Sequence, residues 1–224
     1  LAGLAPIEAV RAAAPTLGLV GYWNFDDVGG TIAADSSGRG NHGTRTNGPT
    51  WTAGKLNGAL SFDGVNDYVA IPNEAQFDFT TTFSVSLWMK TPGFTKAWAS
   101  LISKGDSSWS LTRYDTTTNV DFNTFSPGAN DLRGAINVAD NQWHHLVMVY
   151  NGAVKQLFVD GALNASATIN QTLSTNNFPV RIGHNAEFTS AYFNGLLDEV
   201  RIYNRALTAQ EVVDIFGDGG GFVV

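Results

Sequence analysis

The sequence predicts an all-β sandwich, on three observations. Strand-like runs fill residues 19–203, broken by Gly, Asn, Asp and Ser clusters. The clusters recur about every ten residues, as sandwich strands require. Phe83–Lys90 alternates strictly: Phe83, Val85, Leu87 and Met89 take one face, and Ser84, Ser86, Trp88 and Lys90 the other. Period two places one face in a core. Asn151-Gly152 and Asp160-Gly161 separate three apolar runs, and such dipeptides tolerate the positive φ of tight hairpin turns.

The elements follow in order. Leu19–Asp26 and Ala59–Val69 read as early strands, the second turning at Asp63-Gly64. Phe83–Lys90 comes next. His144–Tyr150, Val154–Val159 and Leu163–Ile169 form an antiparallel meander. The Ser/Thr/Asn-rich stretches 115–131 and 164–177 read as exposed loops or edge strands. The last strand precedes a short helix. Thr208-Ala-Gln-Glu211 is a capping box followed by Val212, Val213, Ile215 and Phe216, and the helix should end near Gly217. Residues 1–18 form an Ala-rich extension that resembles the remnant of an export signal, 19–217 one domain, and 218–224 a Gly-rich tail.

Composition narrows function. The 224 residues are 43% hydrophobic, enough for a core. The net charge of −7 argues against nucleic acid and against anionic membrane surfaces. No cysteine is present, which excludes thiolate metal sites, disulfides and a Cys nucleophile. No apolar run is long enough to span a bilayer.

Seven segments stand in a recognisable order. They are Leu19–Asp26, Asp35-Ser-Ser-Gly-Arg-Gly-Asn-His-Gly43, Ala59–Val69, Phe83–Lys90, Gln142–Val147, Leu157–Gly161 and Gly195–Leu207. Together they resemble the laminin-G-like, concanavalin A-like lectin/glucanase family in its bacterial form. The resemblance implies a jelly roll of two curved antiparallel sheets. It implies no single function, because this scaffold hosts lectins, adhesion domains and glycosidases. It also implies a structural calcium tying the first strand, the Gly/Asn loop and the last strand. The matching positions are Asp26, Asn41, Gly43 and Asp198. Strand alternation puts Asp198 with Val200 and Ile202 at the core's edge, where a carboxylate needs a partner. The alternatives are a hydrogen-bonded turn capped by Asp35 and an ion pair between Asp198 and an Arg.

The family's glucanases carry Glu-x-Asp-x-x-Glu on one strand. No such string occurs, and Glu is scarce, so a hydrolase or lyase is disfavoured. His144 and His145, adjacent on a strand, face opposite sides and cannot chelate one ion. Aromatics carry the binding argument, since sugar C–H faces stack on them while polar groups take the hydroxyls. Trp88, Trp98, Trp109, Arg113, Tyr114 and His184 form the candidate platform. The expectation is a non-catalytic glycan-binding or adhesion module on an exported bacterial protein, located at the cell surface or outside the cell. The alternative is a structural subunit of a surface filament, with neighbouring copies as partners.

Overall fold

The computed structural model describes residues 13–125 and 131–218. The tail from residue 219 and most of the Ala-rich start lie outside them. The described strands are β1 (Leu19–Trp23), β2 (Ile32–Ala33), β3 (Gly43–Thr46), β4 (Thr50–Ala53), β5 (Gly58–Asp63) and β6 (Tyr68–Ile71). They continue with β7 (Phe83–Lys90), β8 (Ser100–Ser103), β9 (Trp109–Arg113), β10 (Val120–Thr124) and β11 (Leu132–Arg133). The last five are β12 (His144–Tyr150), β13 (Val154–Val159), β14 (Ala162–Thr168), β15 (Val180–Ile182) and β16 (Asn194–Tyr203), before helix α1 (Ala209–Asp218). No described helix is long and apolar enough to cross a membrane.

Two antiparallel sheets form the sandwich. The first runs β14-β13-β12-β7-β16-β5-β4, with β1 also paired to β16; the second runs β11-β10-β9-β8-β15-β6-β3-β2. Chain neighbours repeatedly sit in different sheets, as in a jelly roll. The expected meander is β12-β13-β14, and Asp160 (φ +51°) and Gly161 (φ +79°) make its second turn. The described part of the stretch 115–131 is not simply an exposed loop or edge strand. It contains β10, flanked on both sides, because Val120 and Phe122 alternate with polar Asp121 and Asn123.

The core lies between the sheets. Phe83, Val85, Leu87 and Met89 of β7 meet Trp109 and Leu111 of β9 and Phe122 of β10. The aromatic seam is continuous: Phe83 stacks on Phe79 at 5.2 Å, tilts against Trp109 at 5.6 Å and meets Phe122 edge-on at 5.8 Å. The Trp109 indole N–H donates to the Phe77 carbonyl at 3.0 Å, so its one polar atom is satisfied.

The outer face of the first sheet is also apolar. Val147, Val149, Phe158 and Tyr203 pack there against Leu207, Val212 and Ile215 of the helical segment. The capping box forms as the sequence predicts. The Glu211 N–H donates to Thr208 Oγ1 at 3.2 Å, and the Thr208 N–H to Glu211 Oε2 at 2.8 Å. Arg205 joins the ends, pairing with Glu211 at 2.6 Å and donating from Nε to the Leu17 carbonyl at 2.8 Å.

Trp109→Ala should cost about 3–5 kcal/mol of unfolding free energy, the usual range for a fully buried Trp. Urea unfolding followed by circular dichroism checks this. A change below about 1 kcal/mol would show that Trp109 is not part of the core seam.

Candidate functional site

The free outer face is that of the second sheet. Because Leu111 and Phe122 point into the core, their strand neighbours Thr112, Asp121 and Asn123 point the other way. There they floor a cavity of about 370 Å³. Trp98 and Phe188 form its aromatic rim, 40% and 45% exposed. Asp106, Asp131 and Asn185 complete its polar lining.

Several contacts hold these walls. The Trp98 N–H donates to the Asp115 carbonyl at 3.1 Å, and the Tyr114 ring meets the indole edge-on at 5.3 Å. Arg133 lies over the other partner, 4.7 Å from the Tyr114 centroid. Trp98 has φ +55°, a conformation costing about 1–2 kcal/mol for a residue with a Cβ. Arg113 braces the loop from behind. Its Nη1 donates to the Lys96 carbonyl at 2.7 Å, its Nε to Thr117 at 2.5 Å, and Nη2 reaches the Thr116 carbonyl. On the other wall, the Asp106 and Ser107 N–H groups donate to Glu187 Oε2 at 2.6 and 2.8 Å. Asn123 Nδ2 donates to Asp106 Oδ1 at 3.0 Å.

The acids are electrostatically strained. Asp121 is 0% exposed; no N–H or hydroxyl of a described residue donates to its carboxyl, whose one side-chain hydrogen bond is shared with the Asp131 carboxyl. Burial first, and then the adjacent Asp131 carboxyl, push its pKa up to about 8, against the pull of Lys155. Burial and Glu187 raise Asp106 as well.

Of the six residues expected in a binding platform, the structure brings Trp98 and Tyr114 together, with Arg113 as their brace. The other three belong elsewhere. Trp109 is core. Trp88 is on the helix-covered face of the first sheet, stacked on Phe216 at 5.5 Å and tilted on His145 at 5.1 Å. His184 is buried flat against Tyr192 at 3.9 Å, and its Nδ1 bonds Arg181 at 2.9 Å. Desolvation, then the Arg181 charge, press its pKa down to about 4. Alternation alone could not distinguish an outer face that is open from one under a helix. His145, paired with Ser86 Oγ at 2.8 Å, and His144, paired with Asp160 at 2.7 Å, are structural, as their opposed faces imply.

The positions expected to bind calcium do not fit an ion as a set. Asp26 Oδ1 accepts from the Gly58 N–H at 2.8 Å and Oδ2 from Asn24 Nδ2 at 2.8 Å. Asn41 Oδ1 accepts from Asn73 Nδ2 at 3.0 Å, and Asn41 Nδ2 donates to the Val20 carbonyl at 2.7 Å. Gly43 is a packing position, where a Cβ would lie 2.4 Å from Val69 Cγ1. Asp198 Oδ2 accepts from the Lys55 and Leu56 N–H groups at 2.8 and 2.9 Å. Among the described residues, no three carboxylate or imidazole side chains are placed to hold a metal.

Hydrogen bonds hold the first strand and the Gly/Asn loop, where an ion was expected. Asp35 accepts from the Tyr22, Ser37 and Asn41 N–H groups and from Ser37 Oγ, all at 2.8–2.9 Å. Burial alone would raise its pKa, but these bonds outweigh it and hold the carboxyl below its usual range. This is the Asp35-capped turn weighed against the metal. Asp198 does not share a face with Val200. A bulge at Glu199 (φ +54°) interrupts β16, so Asp198 pairs across to Trp88 while Leu197, Val200 and Ile202 face the core. Its partners are backbone amides, and Arg201 pairs with Glu199 instead, at 2.5 Å. Burial raises Asp198 to about 7, against the amides, with Glu199 adding to the rise.

These shifts set a pH dependence. Asp198 and Asp121 hold protons in the fold that an unfolded carboxyl releases near pH 4. Their contribution is therefore present at low pH and lost as pH rises through about 7 and about 8. His144, raised by its Asp160 hydrogen bond, acts in the same direction. His145, lowered to about 3 by burial, contributes fully above pH 6.5 and only loses its share in acid. Lys155, lowered to about 8 by burial, favours the fold only as pH climbs beyond that value. Between pH 6.5 and about 8 the melting temperature should fall, and the fall should be shallower in Asp121→Asn and Asp198→Asn. Identical slopes in all three proteins would contradict the assignment.

Comparison with known proteins follows the geometry. Domain 4 of AbnA, a GH43 extracellular arabinanase from Geobacillus stearothermophilus solved in complex with arabinotriose, superposes with a TM-score of 0.72. It is 25% identical, over 88% of this chain and 97% of that one. The binding domain of Paraclostridial Mosquitocidal Protein 1 superposes with a TM-score of 0.70 at 18% identity, over 89% of this chain and 52% of that one. Trypanosoma rangeli sialidase does so with a TM-score of 0.66 at 20% identity, over 92% of this chain and 33% of that one. The latter two likenesses show the fold alone. No curated protein matches the chain. Residues 63–213 match the family profile of the concanavalin A-like lectin/glucanases, and with its two-sheet jelly roll the chain belongs to that superfamily.

Proposed function

We propose that the domain is a carbohydrate-binding module, carried on an exported bacterial protein, and that the cavity beneath Trp98 is its site. One observation carries the reading. A large aromatic ring is held 40% exposed at positive φ, above a cavity with mixed apolar and polar walls, on a sheet face that α1 does not cover. Strain of this kind persists where the surroundings enforce it, commonly at binding sites. A cavity of about 370 Å³ falls in the range of small-ligand sites, which combine apolar walls with a few placed polar groups. Trp98 and Phe188 offer faces for a sugar ring, while Asn123, Asn185 and the acids can take its hydroxyls. The likeness to an arabinanase domain solved with arabinotriose supports the same chemistry.

Asp121 and Asp131 also favour a second reading, glycoside hydrolysis, since a carboxyl kept protonated by burial beside a second carboxyl resembles the pair a retaining glycosidase uses. Binding is preferred because the Glu-x-Asp-x-x-Glu string of the family's glucanases is missing from the sequence.

A glycan array should show selective binding. Trp98→Ala should weaken it about tenfold, the equivalent of one aromatic stacking contact, while leaving the melting temperature within a few degrees. Arabino-oligosaccharides incubated with the protein should release no new reducing ends. An array without selectivity, or an unaffected Trp98→Ala, would remove the binding site from this cavity; released reducing ends would establish the hydrolase.

A further inference from the structure

We propose that the cavity selects saccharides bearing a free amine over neutral and anionic ones. The inference rests on the carbohydrate-binding reading and adds the substrate class. Three carboxyl groups, from Asp106, Asp121 and Asp131, line the cavity, and none of its lining residues is basic. The two nearby arginines are engaged elsewhere: Arg113 with three backbone carbonyls, and Arg133 on the face of Tyr114. Lys155 lies behind the floor, its ammonium 4.7 Å from the Phe122 ring centroid, and does not line the cavity.

Asp121 distinguishes this cavity from an ordinary acidic patch. Its carboxyl is fully buried, no N–H or hydroxyl of a described residue donates to it, and its one side-chain hydrogen bond is shared with the Asp131 carboxyl. That bond needs a proton held between two carboxyls, and a ligand that brings its own donors and a positive charge can take the proton's place, leaving both carboxyls ionised and bonded. An ammonium group supplies three donors and a positive charge at once. It would also relieve the repulsion between Asp121 and its neighbours Asp131 and Asp106, which raises the Asp121 pKa. A metal ion would answer the same charge, but no three acidic or imidazole side chains here are spaced to hold one. A uronic or sialic acid would bring a further negative charge into the cavity and be rejected.

The test is calorimetric titration of the wild-type protein, at about pH 6, where an amine of this class is charged. The two probes are a glucosamine tetramer and its fully N-acetylated counterpart, identical in ring and linkage. The amine form should bind about tenfold more tightly. The preference should shrink towards equality in Asp121→Asn, and polygalacturonate should not bind. Because the probes differ only in the amine, the comparison stands even if Asp121→Asn fails to fold. Equal binding of both tetramers, or tighter binding of the acetylated one, overturns the amine selection; if Trp98→Ala weakens both, the cavity remains a glycan site. If neither tetramer binds, the inference fails, and binding of neutral arabino-oligosaccharides then shows whether the broader reading survives.

Discussion

The central strands of the first sheet have no free face, and the rest of the molecule follows from that. The sheet's inner side meets the second sheet through Phe83, Val85, Leu87 and Met89. Its outer side meets α1 through Val147, Val149 and Phe158. Even the polar residues of that outer side are consumed. Ser84 Oγ donates to the Arg205 carbonyl at 2.9 Å, and Ser86 bonds His145. Burial on both sides stabilises the sheet in proportion to the apolar area removed from water. It also leaves recognition to the second sheet, whose outer face carries loops instead of a helix.

On that second face the chain accepts local penalties. Trp98 occupies a backbone region that side chains avoid, and Asp121 keeps a carboxyl out of water with only the Asp131 carboxyl as its side-chain partner. Two other buried charges are matched by direct partners. Lys104, fully buried, pairs with Glu74 at 2.8 Å and Asp78 at 2.7 Å, and Arg201 meets Glu199 and the Tyr22 hydroxyl. A buried carboxyl whose one side-chain partner is another carboxyl, at the floor of a cavity with an aromatic rim, marks the cavity as a site.

Near the chain ends, hydrogen bonds do the fastening. Asp26 and Asp198 reach the same short loop at residues 54–58, and both do so by accepting backbone N–H groups. Gly54 and Gly58 make this possible: a Cβ on Gly54 would stand 2.6 Å from Asp198 Oδ2, and one on Gly58 would stand 2.3 Å from the Phe25 carbonyl oxygen. An acidic side chain in such a corner invites a metal assignment from sequence, because backbone donors leave no signature in the residue types.

Local order was legible in the sequence for a simple reason. The period of Phe83–Lys90, the Asp160-Gly161 turn and the Thr208–Glu211 cap are interactions among residues a few positions apart, so residue type is enough to read them. The site was legible only in part. Trp98 and Tyr114 stand out as aromatics among polar neighbours, but Trp88 and Trp109 look the same in sequence, and only packing across the sandwich separates them. No local pattern links Asp106, Asp121 and Asp131. They meet because β10 turns Asp121 to the outer side while Asp106, in the turn between β8 and β9, and Asp131, just before β11, flank it. The bulge at Glu199 inverts the parity that alternation assigns to Asp198. The chain alone therefore determined period, turns and fold class. Which polar groups share a cavity, and which aromatic faces stay open, were decided by long-range packing, which brings together residues that no local pattern links.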